Sequence, residues 1–186
     1  MNVQPTGGKT GDVLTVTPQV NVVDLYGNQV TSSAAVVNVA MTNPLAGDVL
    51  SGTRVTAVDG VASFNALNVR TLPGTYTLTF SSNDLLDVTS ESFTITHADA
   101  FKLVVTQQPV GGNATGERLS TQPIVEIRDR FNNLATSNTD VVTVRITSGV
   151  GGSLETSREP GEISVAAVAG VATFSNVRLV GTPDAA

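Results

Sequence analysis

The chain has 186 residues with 10 Lys and Arg against 16 Asp and Glu, a formal net charge of −6, and is 40% hydrophobic but only 4% aromatic. The apolar fraction argues against a wholly disordered chain, and negative charge without a basic cluster argues against nucleic acid and anionic membrane surfaces as partners. No Cys and a single His exclude disulfides, thiolate metal sites, cysteine nucleophiles and multi-His metal sites.

Val and Thr dominate, long straight-chain helix formers are scarce, and Gly, Asn, Ser and Pro supply turns. No window carries apolar residues at helical spacing. Strict alternation recurs instead, as in Thr75-Tyr-Thr-Leu-Thr-Phe80, Ser92-Phe-Thr-Ile-Thr96 and Val142-Thr-Val-Arg-Ile146, so the chain reads as all-β. In chain order, strands are predicted near residues 1–4, 13–16, 20–24, 36–41, 54–58, 61–64, 75–81 and 92–96, then at 101–107.

Sliding the sequence against itself shows why the series restarts at 101. Gln4-Pro-Thr-Gly-Gly8 matches Gln108-Pro-Val-Gly-Gly112, an offset of 104 residues. Val20-Asn-Val-Val-Asp-Leu-Tyr-Gly-Asn28 matches Val125-Glu-Ile-Arg-Asp-Arg-Phe-Asn-Asn133 at 105, as does Val36-Val-Asn-Val-Ala-Met41 with Val141-Val-Thr-Val-Arg-Ile146. Val58-Asp-Gly-Val-Ala-Ser-Phe64 matches Val168-Ala-Gly-Val-Ala-Thr-Phe174 at 110. The offset grows across the polar, Gly-rich stretch 147–161, where a surface loop is expected.

These matches predict two repeats, 1–98 and 99–186, each a β-sandwich. Only His97-Ala-Asp-Ala100 joins the last strand of one to the first of the next, with neither a Gly/Ser nor a Pro-rich linker. A connection that short is expected to hold the repeats end to end as a rod. The second repeat reaches Leu179-Val-Gly-Thr-Pro-Asp-Ala-Ala186 where its last two strands are expected to begin. Either the chain is a piece of a longer protein, or strands from elsewhere complete that repeat at its open edge.

The recurring residues resemble the bacterial immunoglobulin-like repeats of large surface proteins, including the tandem modules of invasin- and intimin-type adhesins. The resemblance rests on Val22-Val-Asp-Leu-Tyr-Gly-Asn-Gln-Val30 with Ile127-Arg-Asp-Arg-Phe-Asn-Asn-Leu134, on Gly60-Val-Ala-Ser-Phe64 with Gly170-Val-Ala-Thr-Phe174, and on Gly74-Thr-Tyr-Thr-Leu-Thr-Phe80. It implies tandem immunoglobulin-like sandwiches serving as spacers in extracellular stalks, with ligand binding left to other domains. Locally, Asp24 is expected to accept backbone hydrogen bonds across its turn, with Gly27, or Asn132 in the second repeat, at positive φ. Tyr26 and Phe131 are expected to cover a sandwich end, and Gly60 to make a tight reversal that sends Phe64 into the core. Tyr76 reads either as a tyrosine corner, its hydroxyl bonded to nearby backbone, or as plain core packing.

No catalytic, cofactor-binding or metal-ligating residue is assigned. His97 lies in the connection and lacks a partner for acid–base work, and neither a Gly-x-Ser-x-Gly elbow nor a Walker-type loop occurs. The resemblance raises Ca²⁺ at module junctions, for which Asp24, Asp99 and Asp129 are candidates, with Asp84 and Asp87 as a second cluster. Turn caps and solvated charges are the competing reading. An isopeptide bond, known from some Gram-positive modules, has only Lys9 and Lys102 as amine donors, and Lys102 is expected to face outward. Glycan stacking is disfavoured without Trp, and Asn113-Ala-Thr115 is a formal glycosylation triplet. Residues 1–30 show no basic region followed by an apolar stretch, and no apolar run reaches about eighteen residues.

The expected function is therefore a non-catalytic spacer of an extracellular bacterial adhesin or stalk at the cell surface, whose partners are neighbouring repeats. The alternatives are a filament subunit that self-associates through the open edge of the second repeat, and a Ca²⁺- or glycan-binding accessory module of an enzyme or phage particle.

Overall fold

A computed structural model describes residues 1–111, 116–146, 152–155 and 160–181. All of its regular elements are β-strands, in several small sheets of sandwich-like build. The chain divides into two compact units, Met1–Ala98 and Asp99–Ala186.

Unit one contains β1 (Gly8–Lys9), β2 (Gln19–Asn21), β3 (Val36–Met41), β4 (Val49–Ser51), β5 (Arg54–Thr56), β6 (Val61–Ser63), β7 (Asn68–Arg70), β8 (Gly74–Tyr76), β9 (Leu78–Ser81), β10 (Val88–Thr89) and β11 (Phe93–Thr96). The pairing orders are β10-β9-β3-β5, β1-β11-β8, β2-β6 and β4-β7. The alternation read from the sequence is the alternation of burial. Val37, Val39 and Met41 of β3, Leu78 and Phe80 of β9, and Phe93 and Ile95 of β11 enter one core while the intervening residues face out. Phe64 and Phe80 meet edge-on at its centre, with ring centroids 5.2 Å apart and planes at 63°.

Several predicted strands differ in the structure. Residues 1–4 and 13–16 make only the isolated bridges Val3 to Gln19, Val13 to Asn68 and Thr6 to Val16. The run 75–81 breaks at Thr77, because β8 pairs with β11 whereas β9 pairs with β3 and β10. The chain changes sheet there without breaking its side-chain alternation, so the pattern carries no mark of the switch. β1 lies parallel to β11, with Gly8 opposite Ile95, a pairing no local signal announces.

Unit two contains β12 (Ala100–Gln107), β13 (Ile124–Asp129), β14 (Val141–Val144), β15 (Gly152–Glu155), β16 (Pro160–Gly161), β17 (Ile163–Ala166), β18 (Val171–Thr173) and β19 (Arg178–Gly181). Its sheets run β12-β13-β18, β14-β17 and β16-β15-β19. Val125, Ile127, Val142, Ile163, Ala172, Phe174 and Val177 build a separate core. The stretch 147–161 is not simply a loop, since β15 pairs with β19 as β4 pairs with β7, and β16 adds a strand beside it. Extra residues between β15 and β17 form a hairpin because their backbone groups find partners in the existing sheet.

Candidate functional site

The residues that recur between the units were followed into the structure first. At the end of β2 the Asp24 carboxylate spans its turn. Oδ1 accepts the N–H groups of Tyr26 and Asn28, each at 2.9 Å, and Oδ2 accepts Asn28 Nδ2 at 3.1 Å. The Asn28 side chain, then the N–H groups of Asn28 and Tyr26, hold the Asp24 carboxyl below its ordinary pKa by favouring the ionised form. Asp129 repeats the arrangement, accepting N–H from Phe131 and Asn133 at 2.8 Å and Asn133 Nδ2 at 3.0 Å. Gly27 has φ +85° and Asn132 φ +73°, so the two residue types predicted for this position adopt the same left-handed backbone. Tyr26 does not cover an end of the unit: it is 86% exposed, because the carboxylate holds the turn and leaves the ring nothing to pack on. Phe131 is half-buried beneath the Arg130 guanidinium, 4.8 Å from its ring centroid.

The second recurring element is a tight hairpin. Val58 and Val61 exchange N–H···O=C bonds of 3.0 and 2.9 Å across Asp59-Gly60, and Val168 and Val171 exchange bonds of 2.9 and 3.0 Å across Ala169-Gly170. Both central residues have positive φ in each case, +49° and +74° for the first and +50° and +78° for the second, which defines a type I′ turn. A Cβ on Gly60 collides with the Val30 carbonyl oxygen, so neither the space nor the backbone tolerates a side chain there. Phe64 and Phe174 follow into the two cores, at 0% and 1% exposure.

Tyr76 resolves in favour of the corner geometry. Its hydroxyl donates to the Leu72 carbonyl at 2.8 Å and accepts from Thr71 Oγ1 at 2.9 Å. Thr10, fully buried, extends this chain: its Oγ1 donates to the Thr71 carbonyl at 2.7 Å and accepts the Thr71 N–H at 3.0 Å. Sequence reading missed Thr10, since one Thr among many carries no sign that it closes a gap between distant segments.

The candidate chemical residues do not converge. Asp24 and Asp129 sit each in its own turn, one per unit, and Asp84 and Asp87 are exposed. Among the described residues no group of three or more His, Asp or Glu side chains is placed to hold a metal ion. Lys9 and Lys102 are exposed on β1 and β12, whereas a spontaneous isopeptide bond needs a buried amine. His97 is half-buried with Nδ1 at 2.7 Å from the Ala98 carbonyl, and Asn113-Ala-Thr115 lies outside the described residues. Two depressions mark unit one: a shallow one of about 330 Å³ beside Tyr76, and a groove of about 420 Å³ between residues 20–25 and 80–88.

No family model matches the chain, and no curated protein or solved structure gives a match. No helix among the described residues is long and apolar enough to cross a membrane.

Proposed function

We propose that the chain is a non-catalytic structural segment of an extracellular bacterial stalk or adhesin, built from two copies of an immunoglobulin-like sandwich module. The observation that carries this reading is the use made of the recurring residues. Asp24 and Asp129 spend their carboxylates on backbone N–H groups of their own turns, and Gly60, Gly170, Phe64 and Phe174 serve hairpins and cores. What the two units share is what a load-bearing fold needs. A reaction needs a nucleophile or an acid–base group with a free working face instead.

Pulling the chain from its ends by single-molecule force spectroscopy tests the reading. Discrete unfolding events are expected, with a contour gain of about 330 Å for Met1–Ala98 at ~3.4 Å per extended residue. Featureless extension at low force contradicts a load-bearing role, and so does specific heat release on titrating Ca²⁺ or a glycan panel.

A second reading, an assembly subunit whose second unit is completed by another copy, has its own support. β3 has two neighbours, β5 and β9, whereas β14 has only β17 among the described residues. Phe101, Leu103 and Val105 of β12 are 73%, 58% and 44% exposed, an apolar row on a strand of eight residues. Sizing across a hundredfold concentration range decides: a dimer that Leu103→Lys dissolves supports it, and a monomer throughout removes it.

A further inference from the structure

We propose that the edge of unit one along residues 21–24 is a strand-acceptor site. It takes an extended segment of the 100–105 type, antiparallel to that edge. The inference rests on reading the two units as copies of one module, and it adds a binding site to that reading.

The backbone of residues 18–24 alternates between two partners. Pro18 accepts from Phe64, Val22 donates to Gly60 at 2.8 Å, and Asp24 donates to Asn28 at 2.9 Å, so the even residues face β6 and the Asn28 turn. The odd residues face the opposite edge. There Gln19 is paired, donating to Val3 at 3.1 Å and accepting from it at 3.2 Å. Beyond Gln19 the pairing stops. Among the described residues no backbone bond is made to the N–H and C=O groups of Asn21 and Val23, which form an open edge with two donors and two acceptors.

In unit two the same edge is filled. Glu126 and Arg128, the counterparts of Asn21 and Val23, lie opposite Val104 and Lys102, and Asp129 lies opposite Ala100. The consequence shows at the shared turn. Asp129 is fully buried, whereas Asp24, with the same three bonds to its carboxylate, is exposed.

Two features of unit one point to an occupant. The groove of about 420 Å³ runs along this edge, with Val22 and Phe80 of the core and the exposed Val23 and Leu86 among its lining. Asn21 Oδ1, buried in that lining, has no hydrogen-bond partner. The occupant is argued from the filled edge: an extended, alternating apolar segment such as Ala100-Phe-Lys-Leu-Val-Val105, whose one charge, Lys102, suits a groove lined by Asp24 and Asp84. Main-chain pairing supplies the affinity and the groove selects the side chains.

Two probes on the full chain test this. In the first, Ala-Phe-Lys-Leu-Val is fused directly ahead of Met1, which aligns with Val105 at the offset of 104. In the second, a free peptide of residues 99–107 is added, alongside the same peptide N-methylated at the Val104 nitrogen. Amide hydrogen exchange at Asn21 and Val23 is the readout. At least a tenfold slowing is expected with the fusion and the free peptide, and none with the methylated one. Unchanged exchange with both the fusion and the unmodified peptide overturns the proposal. Equal protection by the methylated peptide also overturns it, because apolar adhesion then replaces strand pairing. Concentration-dependent protection of Asn21 and Val23 without peptide overturns it too, in favour of a second copy's surface. Glu126 and Arg128 are the internal reference. If they are protected while Asn21 and Val23 do not respond, only the acceptor site fails; if they exchange freely, the reading of the units as copies fails with it.

Discussion

At the scale of single residues, Asp24 shows how a carboxylate serves a fold. Its hydrogen bonds favour the ionised form, so its pKa is lowered on folding. A lowered folded pKa contributes stability that is present above the unfolded value of ~3.9 and is lost as pH falls through the folded value. Asp24→Ala is therefore expected to lower the thermal midpoint at pH 7, with the gap to the parent chain narrowing below about pH 4. Thermal scans from pH 2 to 7 check this, and a constant gap contradicts the linkage. Ala169 is the opposite case, a residue at odds with its backbone. It holds φ +50° before Gly170, where a type I′ turn favours Asn. Ala169→Asn is expected to stabilise the chain by about 0.5–1 kcal/mol in urea titrations. The turn chemistry of Asp24, Gly27 and Asn132 was legible in the sequence because such turns are set by residues a few positions apart. The exposure of Tyr26 was not, because it depends on what lies beyond the turn.

At the scale of elements, legibility followed the range of the interaction. β3 and β11 were readable from alternation, since each packs one face on a core through its whole length. The switch from β8 to β9 at Thr77 and the parallel pairing of β1 with β11 were not, because partner choice leaves side-chain order unchanged. The Thr10–Thr71–Tyr76 chain links three such segments, and its members differ in burial. Thr10→Val leaves a buried N–H and C=O of Thr71 without their partner and is expected to cost about 2 kcal/mol. Tyr76→Phe removes a bond from the half-buried corner and is expected to cost about 1 kcal/mol. Equilibrium denaturation of both variants checks the order, and Tyr76→Phe costing more than Thr10→Val contradicts it.

At the scale of the whole molecule, each unit carries its own apolar cluster around one aromatic anchor, Phe64 or Phe174. Phe64→Ala and Phe174→Ala are each expected to cost about 3–5 kcal/mol through lost burial and the cavity left behind. Hydrogen exchange should show the loss within residues 1–98 for the first and 99–186 for the second; protection lost equally in both units contradicts separate cores.

The 186 residues, with low charge, no Cys and abundant Val and Thr, determined by themselves an all-β chain, its core-facing rows and its turn residues. Those properties are local, fixed by alternation and by the φ each residue tolerates. Only the tertiary structure decided which strands pair, that Asp129 is buried while Asp24 is exposed, and that Asn21 and Val23 face an open groove. Pairing joins backbone groups far apart in the chain, and backbone groups are alike at every residue, so side-chain order cannot name their partners.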